Sequence, residues 1–180
     1  GNVVVPATMG GRTVTVIGGK TGCSYEGAFR QNDKILSVVV PATVTTIEER
    51  AFQDCTSLRQ VTGLNSVTSI GYGAFENCNE LTSLSVGIGG VVGDAAFKNC
   101  KSLEDVRLPN TVKEIGSGAF AYCSSLKSFD IPDGVEDIAS QTFLECRSLS
   151  SVKIPDSVEK IGNTAFANCK ALTSIELPAH

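Results

Sequence analysis

Phenylalanine recurs through this chain at an almost fixed interval. It falls at Phe29, Phe52, Phe75, Phe97, Phe120, Phe143 and Phe166, in steps of 23, 23, 22, 23, 23 and 23 residues. Cysteine follows three positions behind, at Cys55, Cys78, Cys100, Cys123, Cys146 and Cys169, and Asn32 takes that slot in the first unit. A period of this length constrains the fold more than any other feature of the sequence. A unit so short cannot bury its own apolar face, so successive units must stack and share one core, each touching only its neighbours.

The spacing inside each unit sets the local structure. Counting from the Cys or Asn position, an apolar residue recurs three, six and usually eight residues later, as in Leu103, Val106 and Leu108, or Leu172, Ile175 and Leu177. Alternation of apolar and polar residues in "DVRL" and "SIEL" is the period of a half-buried strand. Proline often closes the stretch, at Pro41, Pro109, Pro132, Pro155 and Pro178, where it ends a strand without removing a ladder donor. A second apolar pair three residues apart, such as Val112 and Ile115 or Val135 and Ile138, leads to the next Ala-Phe. The Ala-Phe-x-x-Cys segment is too short for a helix and suits one helical or 3-10 turn. With equivalent residues about 4.8 Å apart, seven units predict a rod on the order of 30–35 Å long.

The pattern C-x-x-L-x-x-I-x-L-P-x-x-V-x-x-I-x-x-x-A-F resembles the BspA-like leucine-rich repeats of bacterial surface proteins, from about Ala28 to Pro178. The resemblance implies an α/β leucine-rich-repeat solenoid: a parallel sheet on one face, short extended segments and single turns on the other, and little regular α-helix. The opening stretch, residues 1–27, is similar to the hairpin cap of such arrays, with seven repeat units over 28–180 forming one domain with it. It further implies a secreted or surface-attached bacterial protein, extracellular, with any leader already removed. Adhesion or protein binding follows loosely, with a host or matrix protein as partner. Catalytic residues, cofactors and a metal are not part of what the resemblance implies.

Departures from the pattern mark particular rungs. "GGKTGCSYE" before the first Ala-Phe predicts a protruding loop, and Gly63 in "VTGL" predicts a bulge. The short unit "GIGGVVGDAAF" predicts a kink, or alternatively a groove. Beyond "IELPAH" no polar capping unit follows, so an uncapped C-terminal rung is expected to self-associate end to end or edge to edge.

The residues offer little chemistry. The net charge of -4 gives no field to attract nucleic acid, and no apolar run approaches the roughly 18 residues of a membrane span. The only histidine is His180, so no interior imidazole can activate a serine or a thiol. One cysteine per rung with no Cys-x-x-Cys pair does not assemble a zinc tetrahedron, and parallel side chains one rung apart suit a disulfide poorly. The six in register are expected to be small buried thiols bonded weakly to the backbone, with Asn32 doing the same job. Cys23 lies off register, a packed or exposed thiol, or alternatively a site of intermolecular pairing. Glu48-Glu49 and Glu136-Asp137 read as solvated turns, and Tyr25, Tyr72 and Tyr122 as surface residues.

One surface remains, the outer face of the main sheet. Its first column is Ser37, Gln60, Ser83, Asp105, Ser128, Ser151 and Ser174, and its second is Val39, Thr62, Ser85, Arg107, Asp130, Lys153 and Glu176. From Gln60 to Glu176 these two columns form the candidate protein-binding face. Arg107, Asp130, Lys153 and Glu176 alternate in sign and are expected to pair across rungs, which would leave little net field. A non-enzymatic binding module is the leading reading, and a structural spacer that displays a neighbouring domain is the alternative.

Overall fold

The computed structural model describes residues 1–18, 27–87 and 89–177. The inserted loop with Cys23 and Tyr25, and the terminal His180, lie outside the described residues. Two parallel sheets run along the stack. The main sheet is built from β1 (Asn2–Val4), β5 (Ser37–Val39), β7 (Gln60–Thr62), β9 (Ser83–Ser85), β11 (Asp105–Arg107), β13 (Ser128–Asp130) and β15 (Ser151–Lys153). The second takes the two-residue strands β4 (Val16–Ile17), β6 (Thr46–Ile47), β8 (Ser69–Ile70), β10 (Val91–Val92), β12 (Glu114–Ile115), β14 (Asp137–Ile138) and β16 (Lys160–Ile161). Equivalent residues pair in register, for example Ser37 with Gln60, Asp105 with Ser83 and Ser128 with Ser151. The fold is a parallel β-solenoid almost without helix.

The N-terminal segment supplies strands to both sheets. Asn2–Val4 pairs in parallel with β5 and Val16–Ile17 with β6. Between them lies the antiparallel hairpin of β2 (Thr8–Met9) and β3 (Arg12–Thr13).

The core is a set of columns. Phe52, Phe75, Phe97, Phe120 and Phe143 are fully buried, with the cysteines and the Leu58, Leu81, Leu103, Leu126 and Leu149 series beside them. Successive rings stand nearly parallel, their planes 5° to 7° apart and their centroids 5.1 to 5.4 Å apart, except for 5.9 Å between Phe120 and Phe143. That geometry lies within the range of favourable stacked pairs.

The Ala-Phe segments form single turns closed by local bonds, such as Cys55 N–H to the Phe52 carbonyl at 3.1 Å. They also form a third inter-rung ladder. From Phe52 onward, residues two before and two after each ring of the column take left-handed φ values, as at Arg50 (55°), Asp54 (61°), Ala95 (53°), Asn99 (61°) and Tyr122 (63°). Alternating the backbone hand turns the N–H groups of Arg50, Phe52 and Asp54 toward the next rung, where the carbonyls of Tyr72, Ala74 and Glu76 accept them at 2.8–2.9 Å. The arrangement repeats at the following rungs, and its bonds offset the strain of left-handed non-glycine residues, about 1–2 kcal/mol each.

Two departures interrupt the main sheet. At Gly63 the backbone turns left-handed (φ 82°) and enters a 3-10 turn, Leu64–Ser66, where a bulge was expected. A Cβ there would lie 1.9 Å from the Val40 carbonyl oxygen, so only glycine fits. β7 and β9 do not ladder. The residue missing from the short unit is lost between Ser85 and Val91. The kink expected there does not reach the second sheet, because β10 pairs in register with both β8 and β12. The hollow beside Gly89 and Gly90 measures only about 10 Å³, room for one water rather than a groove.

The second interruption is deeper. Neither β11 with β13 nor β12 with β14 is hydrogen-bonded, so both sheets break between the same two rungs. Phe129 stands at this level, where the other units carry Val38, Val61, Leu84, Val106, Val152 and Ile175. Its buried ring meets Phe120 at 5.0 Å and Phe143 edge-on at 4.8 Å, which accounts for the wide 5.9 Å step in the column. The turn ladder continues across the break, with Gly118, Phe120 and Tyr122 donating to Ser140, Thr142 and Leu144.

Candidate functional site

Gln60, Thr62, Ser83, Ser85, Asp105, Arg107, Ser128, Asp130, Ser151 and Lys153 all lie exposed on main-sheet strands, in two columns. Ser174 and Glu176 are exposed beyond the last strand. The face divides along its length. From Asn2 to Ser85 its two columns carry no charge, and Val4 and Val39 stand 71% and 43% exposed. From Asp105 onward charged residues enter the columns. Asp130, Ser151, Lys153, Ser174 and Glu176 border a shallow hollow of about 450 Å³.

The expected pairing across rungs does not form. Arg107 turns to Asp105 on its own strand, Nε to Oδ2 at 3.1 Å, because β13, which carries Asp130, is not laddered to β11. Asp130 and Lys153 are in-register neighbours, yet no ion pair joins them, or Lys153 to Glu176, among the described residues. For exposed side chains the ordering entropy nearly cancels the Coulomb gain. Two side-chain ties cross the break at the edges of this face: Lys127 Nζ to Glu104 Oε2 and Asn110 Nδ2 to Asp133 Oδ2, both 2.6 Å. The face therefore presents separate, solvated charges.

The six cysteines in register are structural. Each Sγ donates to the carbonyl of the phenylalanine one rung back, from Cys55 to Phe29 (3.0 Å) through Cys169 to Phe143 (3.1 Å). Burial pushes the Cys55 thiol up to about 11 and that of Cys123 to about 12, and raises Cys78, Cys100, Cys146 and Cys169 as well. Thiols held protonated are poor nucleophiles. Asn32 does not share their job: it is exposed, and its Oδ1 accepts the Lys34 N–H at 3.1 Å, since no phenylalanine carbonyl precedes it. Among the described residues no group of three or more His, Cys, Asp or Glu could hold a metal ion.

The turn face carries polar order that sequence reading missed. In the column two residues after each ring, Asn77 Nδ2 donates to Asp54 Oδ1 (2.7 Å), Asn99 Nδ2 to Asn77 Oδ1 (2.9 Å) and Asn168 Nδ2 to Glu145 Oε1 (2.7 Å). Arg147 and then Asn168 hold the half-buried Glu145 carboxyl below its usual range. Tyr122 breaks the series, beside a hollow of about 300 Å³ lined by Asn99, Glu145 and Arg147. The recurrence of Asn and Asp at a left-handed position was the available signal. Tyr122→Asn is expected to raise stability by about 0.5–1.5 kcal/mol, because asparagine suits the left-handed backbone and can continue the ladder. A lower urea midpoint would refute this.

These features define a leucine-rich-repeat solenoid. The profile of the BspA type Leucine rich repeat region matches residues 25–89 and 90–180 in six copies, and the chain belongs to that family. The crystal structure of a leucine-rich repeat protein from T. pallidum is similar at 34% identity and a TM-score of 0.87, over 95% of this chain and 77% of that one. A leucine-rich repeat protein from Bacteroides ovatus is similar at 28% identity and a TM-score of 0.60, over 93% of this chain and 49% of that one. No curated protein matches. Repeats of this family serve as protein-interaction or structural modules.

Proposed function

We propose that the chain is a protein-binding module displayed at a bacterial surface, and that it binds through the charged C-terminal half of the main-sheet face. One observation carries the reading: Asp130, Lys153 and Glu176 stand exposed around a hollow of about 450 Å³, without ion-pair partners among the described residues. Exposed charges left unpaired are free to meet complementary charges on a partner, where they govern recognition and association rate. Small serines between them permit close approach of a broad protein surface.

Reversing all three charges (Asp130→Lys, Lys153→Glu, Glu176→Lys) tests it. Cells displaying the folded variant should lose attachment to immobilised host extracellular matrix by about tenfold or more. Undiminished attachment, with display and thermal stability unchanged, would overturn the reading and favour a spacer that carries a neighbouring domain outward.

A further inference from the structure

We propose that the break between β12 and β14 is a slot for a short extended segment of a partner protein bearing lysine or arginine. It lies on the second sheet and is independent of the main-sheet reading.

The slot is framed by an interrupted hydrogen-bond pattern. Elsewhere in the second sheet the carbonyls of Ile47, Ile70, Val92 and Ile138 accept the N–H groups of Gly71, Gly93, Gly116 and Gly162 at 2.7–2.8 Å. The equivalent bond from Ala139 to Ile115 is not made. Nor is the bond from Glu136 to Lys113, although Lys113 itself donates to Gly90 and Glu159 to Glu136. One wall thus offers two carbonyls and the other two N–H groups, across an opening of about 470 Å³. That volume falls in the range of ligand sites.

The ends of the opening set the length of its occupant. At one end Gly134 sits against the preceding rung so closely that a Cβ would lie 2.6 Å from the Val112 carbonyl oxygen. At the other, Gly118 N–H bonds the Ser140 carbonyl at 2.9 Å. These two contacts limit the occupant to a stretch no longer than β12 and β14 themselves. A peptide backbone presents donors and acceptors on opposite edges and can satisfy both walls, as in other sheet-edge recognition. The charge of the walls selects its side chains. Asp94, Glu114, Glu136 and Asp137 line the slot with Lys113, and among the described residues only Asp137 of these carboxylates has an ion pair, with Lys160 at 3.6 Å.

The test uses labelled acetyl-KVTVK-amide as probe, with acetyl-EVTVE-amide and a backbone-N-methylated acetyl-KVTVK-amide as comparisons, and amide exchange of the free protein. The lysine peptide should bind saturably, the glutamate peptide about tenfold more weakly, and the N-methylated peptide not at all. Glu114→Lys with Glu136→Lys should reverse the charge preference, while the triple reversal on the main-sheet face should leave binding unchanged. Phe129→Val, which restores the side chain found at this position in four other rungs, should close the walls, slow exchange at Glu136 and Ala139, and abolish binding. Equal affinity for the N-methylated peptide, no binding of any peptide, or exchange at Glu136 and Ala139 as slow as at Gly116 and Gly162 would each overturn the proposal.

Discussion

Taking the protein from pH 8 to about pH 10.5 is expected to unfold it without any denaturant. The unfolded thiol ionises near 9, whereas burial holds Cys55 at about 11, Cys123 at about 12, and Cys78, Cys100 and Cys146 above their ordinary value. Between those limits the unfolded chain loses protons that the folded chain keeps, so stability falls as pH rises. Each shielded thiol removes about 1.4 kcal/mol per pH unit above the unfolded value. Five acting together remove roughly 7 kcal/mol per unit, against a total stability of about 5–15 kcal/mol. The contribution is fully present below pH 8. The check is the slope of stability against pH by urea titration: Cys78→Ala with Cys100→Ala should reduce it by about 1.4 kcal/mol per unit for each thiol removed. An unchanged slope in the double variant would assign the alkaline loss to other groups.

Phe143→Ala should cost about 3–5 kcal/mol, the usual range for deleting a buried ring. The ring is fully shielded and touches Phe120, Phe129 and Phe166 at 5.9, 4.8 and 5.4 Å. Its loss opens a cavity that two rungs share, and the turn ladder on either side resists collapse into it. Phe166→Ala, at a half-buried ring, should cost roughly half as much. A loss below about 1 kcal/mol for Phe143→Ala would mean that the column does not carry the core.

The columns were legible because each rests on one residue type at one interval. Phe, Cys and the leucine column are set by burial, and burial acts on side-chain volume, which the sequence states directly. The third ladder was not legible in the same way. Asn77, Asn99 and Asn168 hint at left-handed backbone, but Arg50, Ala95, Gln141 and Thr164 adopt it too, held there by bonds to neighbouring rungs that no local propensity encodes. Phe129 was legible in principle, as the one phenylalanine off the period, yet its effect depends on where it meets Phe120 and Phe143. The candidate face was legible as two columns. Its charge pairing was not, because alternating signs say nothing about which strands are laddered or whether solvent outcompetes a neighbour.

The turn face also gives the stack a polarity. In each rung three peptide units lie along the long axis, their oxygens toward the N-terminal side and their hydrogens toward the C-terminal side, as at Arg50, Phe52 and Asp54. Peptide dipoles of about 3.5 D aligned head to tail add, as they do in an α-helix. The turn face thus behaves electrically as three antennae running the length of the molecule in one sense. Whatever extends it must arrive with matching orientation, carbonyls first at one extremity and amides first at the other, so mirror-fashion joining along that edge is forbidden.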